Sequence, residues 1–469
     1  MKVLAIDQGT TGTKAFVYDS AGSFMQVFSA EVTQHFPQPG WVEHDAEELL
    51  HHIETALTKG GRIDAIGMAN QGETLVAWNA QTGIPIYRAI VWQDDRTKDF
   101  CEALKAQGAE ELTKAKAGLP LDPYFSASKF RWLLDHVPEA KPLLKQGRLH
   151  MGTSDAFFLE RITGEFATDV TTASRTSLMS LDTFEWDESL CELFGVPMEC
   201  LPEIRATTGP FGRNVTASMV DQQAALFGHG AMRPGDGKIT FGTGAFALTV
   251  TGANRPQPDG TGLLPTVAWK IGHEPALFAL DGGVYNAASA VNWAKGLKLF
   301  ANYSEINSFD AAPAIARKLA FVPALSGLAA PHWDRNAAGL WIGLGLDTTA
   351  KDMMQAVLEG VALRACELID AMVRHGGRGT AISIDGGLSK NPYFGQFLSN
   401  ALNRQVSVAS SPDLTGLGVA RMAMIGAGAT ELPSLPPPTQ SFQPVDPLPA
   451  NLISRFGIAV LRAKGWKAF

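Results

Sequence analysis

Two turns rich in glycine and hydroxyl side chains, each between two strand-like runs, constrain the fold of this chain most strongly. They are Asp7-Gln8-Gly9-Thr10-Thr11 and Phe241-Gly242-Thr243-Gly244. Such turns expose backbone N–H groups and hydroxyl oxygens, and their glycines carry no Cβ that would obstruct a phosphate. Because the second turn follows the first after about half the chain, the sequence predicts two duplicated halves whose turns face each other and hold a polyphosphate.

Each turn precedes the same series of predicted elements: a helix, a strand and a polar loop. In the first half, a third strand at 30–33 is followed by a helix at 44–59, a strand at 63–68 and a polar loop at 70–73. In the second half, the helix is predicted at 350–375, the strand at 381–384 and the polar loop at 385–387. This α/β order predicts sheets that bind ligands at the carboxyl ends of their strands.

A chain of 469 residues exceeds the size of one ordinary core, so we expect two domains. The predicted division gives an N-terminal domain at 1–230, with a mainly helical insertion at about 104–202, and a C-terminal domain at 231–469. The proline-rich stretch 433–449 is expected to form an extended strap that is not part of the core. A final amphipathic helix is predicted around 452–461.

Charge and composition argue against several classes of protein. A net charge of −8, without a long run of lysine and arginine, disfavours a binder of nucleic acid or of membranes. No apolar run approaches the roughly 20 residues of a membrane-spanning helix, and no signal peptide follows Met1. The four cysteines are far apart and form no Cys-x-x-Cys pair, which is typical of structural thiols in a reducing compartment. We therefore expect a cytoplasmic protein.

Longer motifs resemble those of the FGGY family of carbohydrate kinases, and within it the glycerol kinases. Residues 124–133 are similar to the first signature of the family, and 339–359 to the second. Shorter runs similar to glycerol kinases are Ile90–Asp94, Ala173–Thr176, Asp221–Gly228 and Ser326–Pro331. The resemblance covers essentially the whole chain and implies two duplicated actin/Hsp70-like (ribonuclease H-like) ATPase domains around a central cleft. Neither a P-loop motif nor a Rossmann Gly-x-Gly-x-x-Gly motif is present.

The resemblance implies that ATP is the phosphoryl donor, that Mg²⁺ is the cofactor, and that a small polyol or ketose is the acceptor. Asp221 would be the general base that takes the proton of the attacking hydroxyl. From the residues alone, Asp221 could equally be the N-cap of the helix that follows it. Asp7 would lie near Mg²⁺ or its waters, because this hard cation prefers oxygen ligands. Its alternative role is to stabilise the turn through an Asx hydrogen bond.

The residues that match the nucleotide site of the family lie in both halves. They are Thr10, Thr11, Gly12 and Lys14 for the terminal phosphates, Gly242, Thr243 and Gly244 for the outer phosphates, Ala288 and Asn292 near the nucleotide, and Gly387 and Asn391 for the adenosine. Lys14 keeps the charge of the arginine that the family often has there but loses its bidentate geometry. Ala288 and Asn292 stand where glycerol kinases have glycine and glutamine, and Asn391 has an alternative role as a helix cap.

The residues that match the acceptor site combine polar groups with aromatic rings. They are Glu73, Tyr124, Asp221 and Gln222 as partners of hydroxyl groups, and Trp92 and Phe246 as packing surfaces. Carboxylates and amides bind vicinal hydroxyls well, while an aromatic face shields the C–H side. From the residues alone, the two packing aromatics could instead be ordinary core residues.

One departure from the family bears on the acceptor. Glycerol kinases carry arginine where this chain has Gly72, next to Glu73. Loss of this multidentate donor weakens recognition of a small triol and opens space for a longer substrate. The hypothesis from the sequence is a C4–C5 polyol or ketose as acceptor, with glycerol used poorly. A pentulose kinase such as xylulokinase and a non-catalytic ATP-binding regulator of the same superfamily are the alternatives, and family analogy alone suggests a homodimer.

Overall fold

The computed structural model of the chain describes residues 1–257, 260–377, 379, 381–411 and 413–468. Among these residues, the strands of the first half are β1 (Lys2–Gln8), β2 (Gly12–Asp19), β3 (Phe24–Glu31), β4 (Gln34–His35), β5 (Glu43–His44), β6 (Ala65–Asn70), β7 (Leu75–Asn79), β8 (Ala89–Ile90), β9 (Leu149–Thr153), β10 (Ala167–Asp169), β11 (Glu203–Arg205) and β12 (Val215–Val220). Its helices are α1 (Ala46–Gly60), α2 (Lys98–Ala106), α3 (Glu110–Lys116), α4 (Ser126–His136), α5 (Ala140–Lys145), α6 (Ser154–Thr163), α7 (Val170–Ala173), α8 (Glu188–Phe194) and α9 (Asp221–Gly228).

In the described part of the second half, the strands are β13 (Gly237–Phe241), β14 (Ala245–Gly252), β15 (Leu264–Trp269), β16 (Leu277–Val284), β17 (Ala320–Val322), β18 (Leu340–Ile342), β19 (Ala381–Gly386), β20 (Gln405–Val408) and β21 (Gln440–Phe442). The helices are α10 (Ala288–Gly296), α11 (Ala350–Gly376), α12 (Pro392–Leu402), α13 (Leu414–Gly426) and α14 (Ala450–Ala463). Short 3₁₀ helices occupy Met198–Cys200, Tyr303–Ile306 and Leu388–Lys390.

The main sheets of the two halves share one strand order, which confirms the predicted duplication and the α/β class. Within the described residues, the first sheet has the order β12-β6-β1-β2-β3, and the second has the order β15-β16-β14-β13-β19-β20-β21. In each sheet, an antiparallel hairpin (β1-β2 or β13-β14) lies beside a strand that runs parallel to its first member (β6 or β19). The second sheet therefore repeats the first and extends it by one strand at each edge.

The first sheet is buried on both faces, which explains the continuous apolar run of β1. Residues 3–6 of this strand have no exposed surface. On one face α1 packs against the sheet through Leu49, Leu50 and Ile53, which share a core with Leu4. This helix begins where the Asp45 side chain accepts a hydrogen bond from the N–H of Glu47.

The opposite face of the first sheet is covered by α13, although this helix lies in the second half of the sequence. Leu417 and Val419 of α13 share a hydrophobic core with Val3 and Ala69. The approach is close, because a Cβ added at Gly67 of β6 would lie 2.6 Å from the carbonyl oxygen of Val419. The two halves therefore share this one of their hydrophobic clusters, and a domain boundary between residues 230 and 231 stays a prediction.

The structure differs from the sequence prediction at three elements. The third strand, predicted at 30–33, is β3 and ends at Glu31, because it pairs with β2 from Phe24 onward. The insertion holds α3 to α8, as expected. It also holds β9, which joins a separate, smaller sheet of order β4-β5-β8-β7-β9. The strap at 433–449 also contributes β21, an edge strand that pairs with β20.

The helix α11 follows the sequence prediction closely. Its N-terminus carries the expected capping box of Thr349 and Asp352, and the helix ends at Gly376. No helix in the described part of the chain, this one included, is both long enough and apolar enough to cross a membrane. All four cysteines are buried.

Candidate active site

Carboxylates lie at the ends of three neighbouring strands of the first sheet. Strands β1 and β12 both run parallel to β6, so all three end at the same edge of the sheet. Asp7 is the second-last residue of β1, Glu73 follows β6, and Asp221 follows β12. The topology therefore gathers these three acidic residues where an open α/β sheet binds its ligands.

A cavity of about 150 Å³ opens at this edge and is lined by both halves of the chain. The lining residues that the sequence predicted are Thr10, Glu73, Trp92, Tyr124, Asp221, Gln222 and Phe246. The others are Gly72, Arg175, Val220, Gln223, Leu248 and Asp281. Thr10 belongs to the first turn, and Phe246 closely follows the second. The strand that follows the second turn therefore contributes to the same cavity as the first turn.

Asp221 occupies a position suited to a general base. It is the first residue of α9, and Val220 takes the N-cap position, so the alternative role of Asp221 as the N-cap is not the one observed. Burial, and then the charges of Asp7 and Glu73, raise the pKa of Asp221 to about 7, while Lys238 opposes this rise. A carboxyl group with a pKa near neutrality can accept and release a proton at physiological pH.

A buried ion-pair network joins the two halves beside Asp221. The Arg175 guanidinium donates from Nε to Oε1 of Glu73 at 2.6 Å and from Nη2 to Oδ2 of Asp281 at 3.1 Å. Burial raises the pKa of Glu73, and the charge of Arg175 opposes this rise. Glu73 also has a φ of 58°, a left-handed conformation that is rare for residues with a Cβ and is concentrated at functional sites.

Aromatic rings line another part of the cavity. Nε1 of Trp92 donates to Oγ1 of Thr10 at 2.9 Å, which ties this ring to the first turn. The rings of Trp92 and Tyr124 meet edge to face with their centroids 5.5 Å apart. Phe246 is 48 % exposed, so it is not a core residue. These rings are available to shield the carbon skeleton of a bound acceptor.

Gln222 is held in one orientation by a buried lysine. Nζ of Lys238 donates to Oε1 of Gln222 at 2.7 Å and to Oγ1 of Thr240 at 3.1 Å. Because the amide oxygen of Gln222 is engaged, its amide nitrogen is the group that it can offer to a hydroxyl oxygen of the acceptor.

The first turn is held together by its backbone and by an ion pair to the second half. The N–H of Gly9 donates to the carbonyl oxygen of Gly12 at 3.0 Å, and the Thr11 side of the turn is exposed. Nζ of Lys14 lies 2.6 Å from Oδ1 of Asp413, which immediately precedes α13. The predicted contact of Lys14 with a phosphate would therefore have to compete with Asp413.

The second turn is fastened to the start of α10. The N–H groups of Ala288 and Ser289 donate to the carbonyl oxygens of Gly242 at 3.0 Å and Thr243 at 3.1 Å. A Cβ added at Gly242 would meet only the carbonyl oxygen of Gly244, at 3.9 Å. An open backbone surface of this kind fits a phosphate group.

The predicted adenosine residues follow β19, which pairs with β13, so they lie at the same sheet edge as the second turn. Gly387 is exposed, and a Cβ added there would meet no atom within 4 Å. Asn391 is buried and caps α12 by accepting the N–H of Phe394 at 2.8 Å, which is the alternative role anticipated for it. Asn292 is exposed and accepts a hydrogen bond from Tyr303. Contact of any of these residues with a nucleotide stays a prediction.

Asp7 fits a role beside a magnesium ion. Burial raises the pKa of Asp7 to about 7, Lys14 opposes this rise and Asp413 adds to it. A nearby divalent cation would relieve the repulsion between Asp7 and Asp221. Among the described residues, no cluster of three or more His, Cys, Asp or Glu side chains could hold a metal by itself. Most ligands would therefore come from phosphates and water, as is usual for Mg²⁺.

Val220 occupies part of the space beside Gly72, and a longer acceptor at this point stays a prediction. A Cβ added at Gly72 would lie 2.7 Å from Cγ2 of Val220. Val220 is buried and lines the same cavity. Position 72 therefore lacks the donor that a guanidinium would supply, and Val220 limits the space that opens beside it.

Arg175, Lys238, Asp281 and Val220 are among the residues of the site that had no predicted role. Lys238 and Asp281 are charged residues within otherwise apolar strands, a signal that could have identified them. Arg175 lies in a run that resembles the family. Val220 carries no such signal, since a valine at the end of a strand is an ordinary core residue.

Sequence comparisons find close relatives over nearly the whole chain. Residues 2–231 match the N-terminal domain, and residues 237–427 the C-terminal domain, of the FGGY family of carbohydrate kinases. The chain is 41 % identical to a glycerol kinase of Gluconobacter oxydans, over 91 % of this chain and 87 % of that protein. It is 40 % identical to a glycerol kinase of Thermus brockianus, over 99 % of both chains.

Solved structures share the fold. A glycerol kinase of Plasmodium falciparum with ADP superposes with a TM-score of 0.90 at 30 % identity, over 98 % of both chains. A ligand-bound xylulose kinase from Lactobacillus acidophilus has a TM-score of 0.84 at 22 % identity, over 98 % of this chain and 96 % of that one. At that lower identity the likeness concerns the fold alone. The fold is therefore of the two-domain, actin/Hsp70-like ATPase type.

Proposed function

The chain belongs to the FGGY family of carbohydrate kinases and is an ATP-dependent kinase with an alcohol group as acceptor, and we propose that it transfers the γ-phosphoryl group of ATP to a terminal hydroxyl of a small polyol or ketose. The observation that supports this most strongly is the single cavity that Asp221 shares with Thr10 of the first turn and with Phe246. It combines a general base, hydroxyl-binding groups and a phosphate-binding turn.

Asp221 takes the proton of the attacking hydroxyl, a contribution worth roughly 10²–10⁴ in rate. Glu73 and Gln222 hold the remaining hydroxyls, and Gln222 does so through the amide nitrogen that Lys238 leaves free. The aromatic wall formed by Trp92 and Phe246 packs on the carbon skeleton. Together these contacts orient one oxygen toward the phosphate, which is most of what phosphoryl transfer asks of a protein.

The two turns bind the triphosphate from opposite sides in this proposal. Thr10, Thr11 and Gly12 contact the terminal phosphates, and residues 242–244 contact the outer ones. Asp7 would hold a Mg²⁺ ion or its waters, and the ion would neutralise phosphate charge. Closure of the two halves excludes water, so ATP hydrolysis without an acceptor is slow.

The acceptor is a C4–C5 polyol or ketose in this proposal, because position 72 lacks the multidentate donor that favours a small triol. Glycerol is the second candidate. It is favoured by the cavity of about 150 Å³ and by Val220, which fills the space beside Gly72.

A panel of acceptors tests the proposal. Glycerol, erythritol, xylitol, D-xylulose and D-ribulose are each assayed for ADP release with ATP and Mg²⁺. We expect the highest kcat/KM with a four- or five-carbon compound and little ADP without an acceptor. A clear optimum on glycerol would overturn the acceptor length and leave the kinase reaction in place. ATP binding without any acceptor-dependent ADP release would indicate the non-catalytic regulator.

A further inference from the structure

In the cavity, one residue leaves no room for a side chain on another. Gly72 and Val220 both line it, and a Cβ added at Gly72 would lie 2.7 Å from Cγ2 of Val220. Real Cβ atoms do not tolerate so short a contact, so one of the two groups would have to move. The φ of Gly72 lies outside the left-handed region. The glycine is therefore required by lack of space and not by its backbone conformation.

Val220 is held firmly in this place. It is the last residue of β12, pairs with Asn70 of β6, and donates its N–H to Oγ1 of Thr171 at 3.0 Å. Its side chain is buried, and a β-branched side chain has few accessible rotamers. The valine methyl groups therefore form a fixed wall.

This wall differs chemically from the rest of the cavity. The side chains of Glu73, Gln222 and Arg175 offer hydrogen bonds to an acceptor on other sides. Against Val220 and Gly72, a hydroxyl group would find only hydrocarbon from side chains, and a buried hydroxyl without a partner is costly. The wall thus disfavours an additional hydroxylated carbon in this direction.

We propose that Val220 determines the acceptor specificity of this kinase, by filling the space beside Gly72 and so limiting the length of the acceptor. This inference rests on the proposed function, because it concerns the acceptor cavity of the same reaction. In this proposal, Val220 contacts the carbon skeleton of the substrate and takes no part in the chemical step.

The test compares Val220→Ala with the unaltered enzyme on glycerol, erythritol and xylitol. Removing two methyl groups from the wall should raise the ratio of kcat/KM for the longer polyol over the next shorter one about tenfold. Val215→Ala is the matched control: it makes the same change at the other end of β12, at a buried residue that does not line the cavity. It should lower the melting temperature and leave the ratio unchanged.

A second measurement tests whether Val220 prevents a side chain at position 72. Gly72→Ala should raise the acceptor KM and lower the melting temperature because of the short contact. In the double variant Gly72→Ala/Val220→Ala, both effects should be largely reversed, since the contact is gone. Additive effects in the double variant would contradict the exclusion.

The outcomes separate this inference from the function on which it depends. If the unaltered enzyme phosphorylates neither these three polyols nor D-xylulose and D-ribulose, the proposed kinase reaction fails, and the inference fails with it. If the unaltered enzyme is active but folded Val220→Ala keeps its acceptor ratio within twofold, only the inference is overturned. A ratio that shifts equally in Val215→Ala would also overturn it, because the shift would then reflect general loosening.

Discussion

The two main sheets have the same strand order but opposite chemistry at the edges where they bind ligands. The first sheet presents three carboxylates, Asp7, Glu73 and Asp221, at the ends of its three parallel strands. The second presents mainly glycine and hydroxyl groups, in residues 242–244 and at Gly387, with one carboxylate, Asp385, near the end of β19. In the proposed function, the shared topology thus sets where the ligands lie, while the side chains assign protons and alcohols to one edge and anions to the other.

The two turns are also held in different ways. The first is tied by side chains, through Trp92 to Thr10 and through Lys14 to Asp413. The second is tied to α10 through its backbone carbonyl oxygens, which accept from backbone N–H groups and from the Ser289 hydroxyl. Substituting polar side chains should therefore change function at the first edge, whereas adding a side chain to a glycine should change it at the second.

The largest effect is expected from removing the base at the first edge. Asp221→Asn should lower kcat by roughly 10²–10⁴, because the attacking hydroxyl loses its proton acceptor. The affinity for ATP, measured by calorimetry, should stay within about threefold, since the nucleotide is expected at the second edge. If Asp221→Asn keeps a kcat within tenfold of the unaltered enzyme, Asp221 is not the base, and the proposed difference between the two edges fails.

The same carboxylate should set the acid limb of the pH profile. The pKa of Asp221 is raised to about 7, and only its deprotonated form can accept a proton. The acceptor kcat/KM should therefore rise with pH and level off above about pH 7, falling about tenfold per unit at lower pH. In Asp221→Asn the residual activity should lack this limb. A limb of unchanged midpoint in the variant would assign it to another group.

The second edge can be tested by adding one methyl group. Gly387→Ala places a Cβ in space that is empty of protein atoms, so the fold should tolerate it. If adenosine occupies that space, KM for ATP should rise on the order of tenfold, with the acceptor KM unchanged. Gly457→Ala in α14 is the control, because a Cβ there also meets no atom within 4 Å. Equal KM values for ATP in both variants would contradict the nucleotide assignment.

The smallest effect concerns the ion pair between the halves. Lys14 is 45 % exposed, so its pairing with Asp413 should contribute little to stability, about 1 kcal/mol or less. If Lys14 also binds a phosphate, Lys14→Ala should raise KM for ATP about threefold, and high salt should reduce the difference. Asp413→Asn, which releases the lysine, should not raise it. Equal increases in both variants would indicate that only the ion pair matters.

The sequence was sufficient for the duplicated fold because the features that define it are local. Glycine turns, the apolar run of β1 and the capping box of α11 are all readable from neighbouring residues. It was also sufficient for the residues that match family motifs, such as Asp221 and Glu73, which the structure brings into one cavity.

What the sequence could not provide were contacts between distant segments. The pairing of Lys14 with Asp413 joins residues at opposite ends of the chain, and α13 crosses to the sheet of the first half. The contact of Val220 with the space beside Gly72 could not be predicted for the same reason, since Val220 arrives there only through the pairing of β12 with β6. Such contacts depend on tertiary packing, which no local pattern encodes.

The most direct test of the account is a crystal structure with a non-hydrolysable ATP analogue, Mg²⁺ and the best acceptor of the panel. The account predicts one triphosphate in contact with both glycine turns, and the terminal oxygen of the acceptor about 2.6–3.2 Å from the Asp221 carboxylate. A nucleotide bound to only one turn, or an acceptor whose reactive oxygen lies beyond the reach of Asp221, would contradict it.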